Sequence, residues 1–478
     1  MITIGAAGLS LAEIEAVATG GETLSLDPAA EGRVAAAHEL LCSLAIERPV
    51  YGLSTGVGAK RSVAVQRDVD SCLRLWRSHA LGSGEQAGED RTRGMLAVRA
   101  VQVSRGGSGV SLPVARAFAD AVSAPAASLP IVWHGSSIGT GDLAPLATAA
   151  LHLHDSGAMQ PAPSDGLPVM SSSALTLADA ALTLRSIERT LLASVHINAA
   201  HIHALGGNLE HLSASALARQ AQAVQDVAAA IRNRVQRPSG VAPARIQDPF
   251  ALRLIPQSLG AVIAAWRNVS EETLRGINGA HENPLIDVPG RDVVHVGNFY
   301  TIALALSVQQ LLGAISNEAA LMVNRLTMLL DGSVTGAPDF LTDGTPDATG
   351  AMMLEYAAAS ALAEIRAACG TAASHGIHIS RGVEEHAPFT PMLVRELGRV
   401  DRAFATIQAA LLLAQARLWI SRGELTSSAA RHLTQTYTPD PDLSDRDLTW
   451  DLAEATRALA AIATSGDTAL VQGGKQPW

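Results

Sequence analysis

Aromatic side chains and charge are both scarce in this 478-residue chain. Phe, Trp and Tyr together make up 3% of it, and Asp, Glu, Lys and Arg 17%, against roughly 25% charged residues in an ordinary globular protein. The length is enough for two or three domains' worth of core, and 48% of the residues are hydrophobic. With so little charge to cover it, part of the apolar surface is expected to lie against copies of the same chain, as a homo-oligomer. Cysteine is nearly absent. Cys42, Cys72 and Cys369 are scattered, with no C-x-x-C pair and no disulfide ladder, which suits a reducing compartment. No basic block offsets the net charge of −10, so no nucleic-acid partner is expected. The first residues lack a charged segment followed by an apolar run, so no secretory signal is expected. Apolar stretches such as 406–420 are interrupted by Gln and Arg and read as too short to cross a bilayer. Together these absences predict a soluble cytoplasmic protein with no membrane partner.

Helical periodicity is what the chain has in abundance. Helices are expected over 28–46, 66–81, 90–104, 111–122, 143–155, 174–203, 208–235, 258–279, 299–330, 348–374 and 391–421, with strand alternation only in the first four residues and at 292–296. Up to about residue 200, shorter helices alternate with glycine-rich loops at 51–58, 82–88, 105–109 and 135–141. Beyond it, the helices lengthen into the pattern of an extended bundle. The expected fold is mainly α: a smaller, loop-rich N-terminal domain over 1–200, then a long central helical bundle over 201–478.

The loop at 135–141 stands out. It holds three glycines in seven residues and runs straight into an apolar helical pattern through Asp142, Leu143, Ala144 and Pro145. Asp142 reads as an N-cap or first-turn acid, with proline near the helix start. Such a permissive backbone can be a turn, an anion cradle or a site of backbone chemistry. A second glycine-rich turn, Tyr51 to Gly58, fits neither the phosphate-binding G-x-x-x-x-G-K-[ST] pattern, for which Lys60 is misplaced, nor G-x-G-x-x-G. Taken alone, Tyr51 reads as structural more readily than catalytic. His79 closes a helix. Arg253 sits among apolar residues and needs an anion, either an internal carboxylate, slightly favoured, or a substrate carboxylate. The pairs His152/His154 and His201/His203 fall in helical pattern, where residues two apart diverge. His375/His378 lacks an obvious third ligand, so no metal site is expected.

In order along the chain stand Tyr51 to Gly58, Ser78-His79 with Gly82 and Gly84, Gly106 to Val110, Gly135 to Leu146, Gln247 to Gln257, Glu282-Asn283-Pro284-Leu285, Gly297-Asn298-Phe299 and Glu384-Glu385-His386. This succession resembles the aromatic amino acid ammonia-lyase family, the histidine ammonia-lyases most closely. The resemblance implies a mainly helical homotetramer whose active sites draw on several subunits. It also implies a methylidene-imidazolone (MIO) electrophile, made when the backbone of an Ala-Ser-Gly tripeptide cyclises and loses water. Here the tripeptide is Gly139-Thr140-Gly141. The family's helper asparagine aligns with Ser171, and the tyrosine of its Asp-Pro-Tyr-Ser-Leu-Arg segment with Phe250.

By the same resemblance Tyr51 is the base that takes the β-proton and Arg253 holds the substrate carboxylate. Gln247 and Phe299 line the pocket, while His79 and Glu384 contact an imidazole ring. Three functions follow. The first is a lyase or aminomutase acting on histidine or a related polar amino acid, with an MIO-like group from Gly139-Thr140-Gly141. The second is MIO-independent acid–base elimination, addition or isomerisation on another carboxylate substrate. The third, ranked well behind, is a non-catalytic relative.

Overall fold

The first three helices begin where short polar side chains satisfy their first backbone N–H groups. In this computed structural model, which describes residues 1–235, 242–370, 376–425 and 433–464, α1 (Leu11–Ala18) opens on a capping box between Ser10 and Glu13. Strands β1 (Ile2–Ile4) and β2 (Leu24–Leu26) flank it and pair in parallel. Asp27 accepts from Ala30 N at 2.6 Å to start α2 (Pro28–Glu47), with proline in the first turn. Asp68 does the same for α3 (Val69–His79) through Ser71 N. Then come α4 (Glu89–Val103), α5 (Leu112–Ala121), α6 (Leu143–Asp155) and the short α7 (Gly166–Met170).

The long helices follow. α8 (Ala174–Ala204) is buried along nearly its whole length. After α9 (Ala214–Leu217), α10 (Gln222–Arg232) and α11 (Phe250–Arg253) come α12 (Ile255–Asn278) and α13 (Ile302–Leu330). Next are α14 (Gly332–Thr335), α15 (Met353–Ala368), α16 (Thr390–Ser421) and a last helix, Thr449–Thr464. α16 packs on α8, α13, α15 and the last helix. Two antiparallel hairpins interrupt the helices: β3 (Leu285–Asp287) with β4 (Asp292–Val294), and β5 (Gly376–Ile379) with β6 (Glu384–His386).

Several expectations need correction. The stretch 208–235 is not one helix. Asn208 accepts from Glu210 N, and Ser213 starts α9, so polar side chains divert the backbone before α10. The helix expected over 348–374 starts only at Met353. Asp445 holds the N–H groups of Thr349 and Gly350 in a turn instead, and residues 371–374 lie outside those described. The helix Leu11–Ala18, the last helix and four of the six strands among the described residues were not anticipated. α16 and the segment Gly166–Ala204 are long and apolar enough to cross a membrane, contrary to the expectation from 406–420. Most of their apolar windows is buried against other helices, alongside fully buried Gln408, Gln415 and Arg417. Arg417 donates to the carbonyls of Leu341 and Leu443. α13 contributes a buried Arg325–Glu318 pair, with Asn198 accepting a second guanidinium N–H at 2.7 Å. Polar groups at such depth need internal partners.

Candidate active site

The loop between Gly135 and Asp142 is pinned from three sides. Asp142 N–H donates to Ser172 O at 2.6 Å, and Ile138 O accepts from Phe389 N at 2.8 Å, just before α16. The Gly139 carbonyl accepts from both the Thr301 hydroxyl, at 3.0 Å, and the Thr301 N–H, at 3.3 Å. Fully buried Thr390 supports Thr301, hydroxyl to hydroxyl, at 2.7 Å. Asp142 stands at the start of α6, yet its carboxylate does not cap that helix. It instead accepts from Thr176 N and Oγ1, at 2.8 and 2.9 Å, in the first turn of α8. The expected cap thus serves the neighbouring helix, where an acid meets free N–H groups and the positive end of the helix dipole. Burial pushes the Asp142 carboxyl above the usual range, against these hydrogen bonds.

Within the tripeptide, Gly139 has φ +93° and Gly141 φ +115°, values that side chains disfavour. A methyl group at Gly139 would also lie 2.6 Å from Pro388 Cγ and 3.1 Å from Thr301 Oγ1. The space an alanine would need at this position is filled by two residues distant in sequence. Between the glycines, the Thr140 hydroxyl donates to Glu384 Oε2 at 3.2 Å.

A cavity of about 720 Å³ opens beside Thr140, lined by Tyr51, His79, Thr140, Ser171, Phe299 and Glu384 among others. The last residue of α3 supplies His79. Its Nδ1 lies 2.9 Å from Leu75 O, an oxygen that can only accept, so Nδ1 carries the proton and Nε2 is left as an acceptor. Glu384 comes from β6. Its hairpin turn contacts the tyrosine loop, where Ala59 N–H donates to Ser380 Oγ at 3.1 Å. Tyr51 Oη accepts from Gly58 N–H at 2.8 Å, which puts a donor beside the oxygen where charge would develop on proton transfer.

Ser171 points its hydroxyl at the Asn283 backbone, accepting from its N–H at 3.1 Å. Asn283 also lines the cavity, and Val296 N–H fixes its amide oxygen at 2.9 Å. Behind this wall, Arg99 pairs with Glu282 at 2.8 Å, both buried, and donates to the carbonyls of Pro168 and Val169.

Gln247, Phe250 and Arg253 are not brought into this cavity. Arg253 Cζ lies 4.5 Å over the Phe250 ring, and the guanidinium has no carboxylate partner among the described residues, so the internal carboxylate favoured from sequence is not found. Phe250 is 61% exposed and Ile246 93%. Of the histidine pairs, His375 lies outside the described residues. Lys60, Asn283 and Ser380 join the cavity without having been named as site residues, although Asn283 stands in one of the runs that carry the resemblance, and Thr301 and Pro388 bound the tripeptide behind it.

Residues 9–438 match the sequence model of the aromatic amino acid lyase family. The chain belongs to that family. It is therefore a carbon–nitrogen lyase by family, and the family works through an MIO-type group. The histidine ammonia-lyase of Paracidovorax citrulli is 28% identical over 431 residues, 84% of this chain and 83% of its own length. Among solved structures, the histidine ammonia-lyase of Trypanosoma cruzi aligns with a TM-score of 0.87 at 21% identity, over 100% of this chain and 98% of its own. The ergothioneine-degrading ergothionase of Treponema denticola, solved with desmethyl-ergothioneine sulfonic acid, gives 0.85 at 22%, over 98% and 99%. Two features of the backbone here fit the family's group: the two donors on the Gly139 carbonyl, and the Gly141 N–H left without a partner among the described residues. The Gly139 conformation, which an alanine would strain to adopt, departs from the family's tripeptide.

Proposed function

We propose that this chain eliminates the amino group of histidine or a closely related heteroaromatic amino acid. One observation carries the reading: Tyr51, His79, Thr140 and Glu384, from four separate segments, line a single cavity. The names of the relatives point the same way, to histidine and to ergothioneine. His79 Nε2 and the Glu384 carboxylate are both acceptors, so together they suit an imidazolium with two N–H donors. A cationic ring withdraws electrons from the adjoining β-carbon, which makes its proton easier for Tyr51 to remove. Phe299 covers the pocket wall. Gly139, Thr140 and Gly141 would form and hold the family's MIO-type group, which supplies an electrophile for the substrate amine. Ser171, through Asn283, keeps the opposite wall in place.

Arg253 would hold the substrate carboxylate from a neighbouring subunit. Exposed Ile246 and Phe250 beside it offer the apolar surface such a neighbour would cover, and the assembly proposed is a homotetramer. Three unpaired cysteines agree with a cytoplasmic setting. The division into an N-terminal domain over 1–200 and a bundle over 201–478 is retained as part of this proposal.

Incubation with histidine, followed by ammonia release and the ultraviolet absorbance of a conjugated product, tests the activity; no release from histidine or its analogues would overturn it. A second reading, MIO-independent elimination in the same cavity, draws on the Thr140–Glu384 hydrogen bond, which satisfies an unconverted hydroxyl. Mass spectrometry of the 138–142 region separates the two. Loss of two waters marks the ring, and an unmodified mass in active protein leaves only the second reading.

A further inference from the structure

Only two lysines, Lys60 and Lys475, stand among the chain's 35 basic residues; arginine takes every other position. Lys60 is the sole lysine among the described residues, and it lines the cavity that holds Thr140, His79 and Glu384. It ends a 3₁₀ turn, Gly58–Lys60, whose first N–H donates to Tyr51 and whose second donates to Ser380. The backbone that presents the lysine is thus the same one that positions the tyrosine. Its ammonium has no ion-pair or hydrogen-bond partner among the described residues, although Arg91, Arg93, Arg99, Arg185 and many other arginines here do.

An ordinary surface lysine keeps its charge in water and makes no demand on its neighbours. Lys60 is exposed too, but two features set it apart: its place on the wall of this open pocket, and the choice of lysine in a chain that otherwise uses arginine. The two are not equivalent. Lysine offers a compact, mobile point charge, and arginine a planar fork suited to paired oxygens. Inside the cavity the other charged group is the Glu384 carboxylate, and Arg253 does not reach it in this chain.

We propose that Lys60 is a specificity-determining residue that grips an anionic group of the substrate, either its α-carboxylate or an acidic substituent on its ring, from the same chain that supplies Tyr51. The inference rests on the reading of this cavity as the substrate site, and it holds whether or not Thr140 is converted. Glu384 and Lys60 then sort the two ends of a zwitterionic ligand, the carboxylate taking N–H groups and the ammonium taking oxygens.

Calorimetric binding of three imidazole probes to the full-length protein tests this without turnover. Imidazolepropionate carries a carboxylate on the side chain, imidazole-4-sulfonate carries its charge on the ring, and 4-ethylimidazole is neutral. Lys60→Met should weaken one or both anionic probes by about tenfold or more and leave the neutral probe unchanged; which anion suffers identifies the group gripped. Lys60→Arg should recover part or all of the loss. Circular dichroism checks that the variants are folded. Anionic probes that bind Lys60→Met as well as the parent would overturn the inference and leave the imidazole reading standing, as would a loss that Lys60→Arg does not recover at all. If the parent binds none of the three probes, the imidazole reading fails and the inference fails with it.

Discussion

Restoring the family's alanine at Gly139 should damage this protein. The added Cβ would lie 2.6 Å from Pro388 Cγ and 3.1 Å from Pro388 Cδ and Thr301 Oγ1, where carbon atoms in good contact keep roughly 3.5–4.0 Å. Overpacking of that kind costs about 1–3 kcal/mol. Holding a side chain at φ +93° adds about 1–3 kcal/mol, so Gly139→Ala should lose about 2–6 kcal/mol in all. The two parts separate in a double-mutant cycle. Pro388→Ala removes the Cγ and Cδ atoms that clash, so in its presence the alanine at 139 should cost less by most of the steric share, about 1–3 kcal/mol, while the Thr301 contact and the backbone share remain. The shift in urea midpoint at constant slope measures each variant. A second readout is the mass of the 138–142 region, because the new methyl would push the Thr301 hydroxyl off the Gly139 carbonyl. A Gly139→Ala protein as stable as the parent would refute the reasoning, and so would a cost of the alanine at 139 that Pro388→Ala leaves unchanged.

Other expectations follow from the same geometry. Tyr51→Phe should lower turnover by roughly 10²–10⁴-fold in protein that stays folded and assembled; retained turnover would remove the base assignment. Glu384→Gln should lower kcat/KM for histidine relative to a neutral aromatic amino acid, and an unchanged ratio would disprove its contact with the ring. Asp179 predicts a pH dependence of stability. Burial raises its carboxyl from an ordinary 3.8 to about 7, with Arg91 opposing. The folded protein therefore holds this proton more tightly than the unfolded chain, so the contribution to stability falls as pH rises from about 4 to about 7 and is level above. Asp179→Asn, which does not ionise, should flatten that window in urea midpoints measured at about pH 5 and about pH 8; an identical slope in the variant would refute the assignment.

Periodicity made the long helices legible, because α8, α12, α13 and α16 bury apolar faces along many turns. It failed where short polar side chains intervene, as at Asn208 and Ser213, and where the run was too brief to show a period, as in Leu11–Ala18. Tyr51, His79, Thr140, Ser171, Phe299 and Glu384 were all named from sequence and all meet at the cavity. The resemblance to the family carried them, since Tyr51 taken alone reads as structural and Ser171 stands in a plain run of serines. Asp142 was found and its partner was not, since nothing near it shows that its carboxylate serves α8. Arg253 shows the reverse limit: burial among apolar residues suggested an internal carboxylate, and the chain folds with an aromatic ring beneath the guanidinium instead.

The departures from the family pattern bear on whether this site still works. A site released from selection would leave the missing methyl of position 139 as a gap and the lost amide of position 171 as a hole in the wall. Neither is seen. Pro388 and Thr301 occupy the methyl's place, and Thr301 turns the contact into a hydrogen bond to the carbonyl that ring closure would attack. Ser171 holds Asn283 through its backbone, and Asn283 brings a side-chain amide to the same cavity. The residues that make these contacts lie at least about a hundred positions away in the chain. Both positions are thus closely packed and hydrogen-bonded by distant parts of the chain, which agrees with the catalytic reading proposed above and gives the non-catalytic one no support.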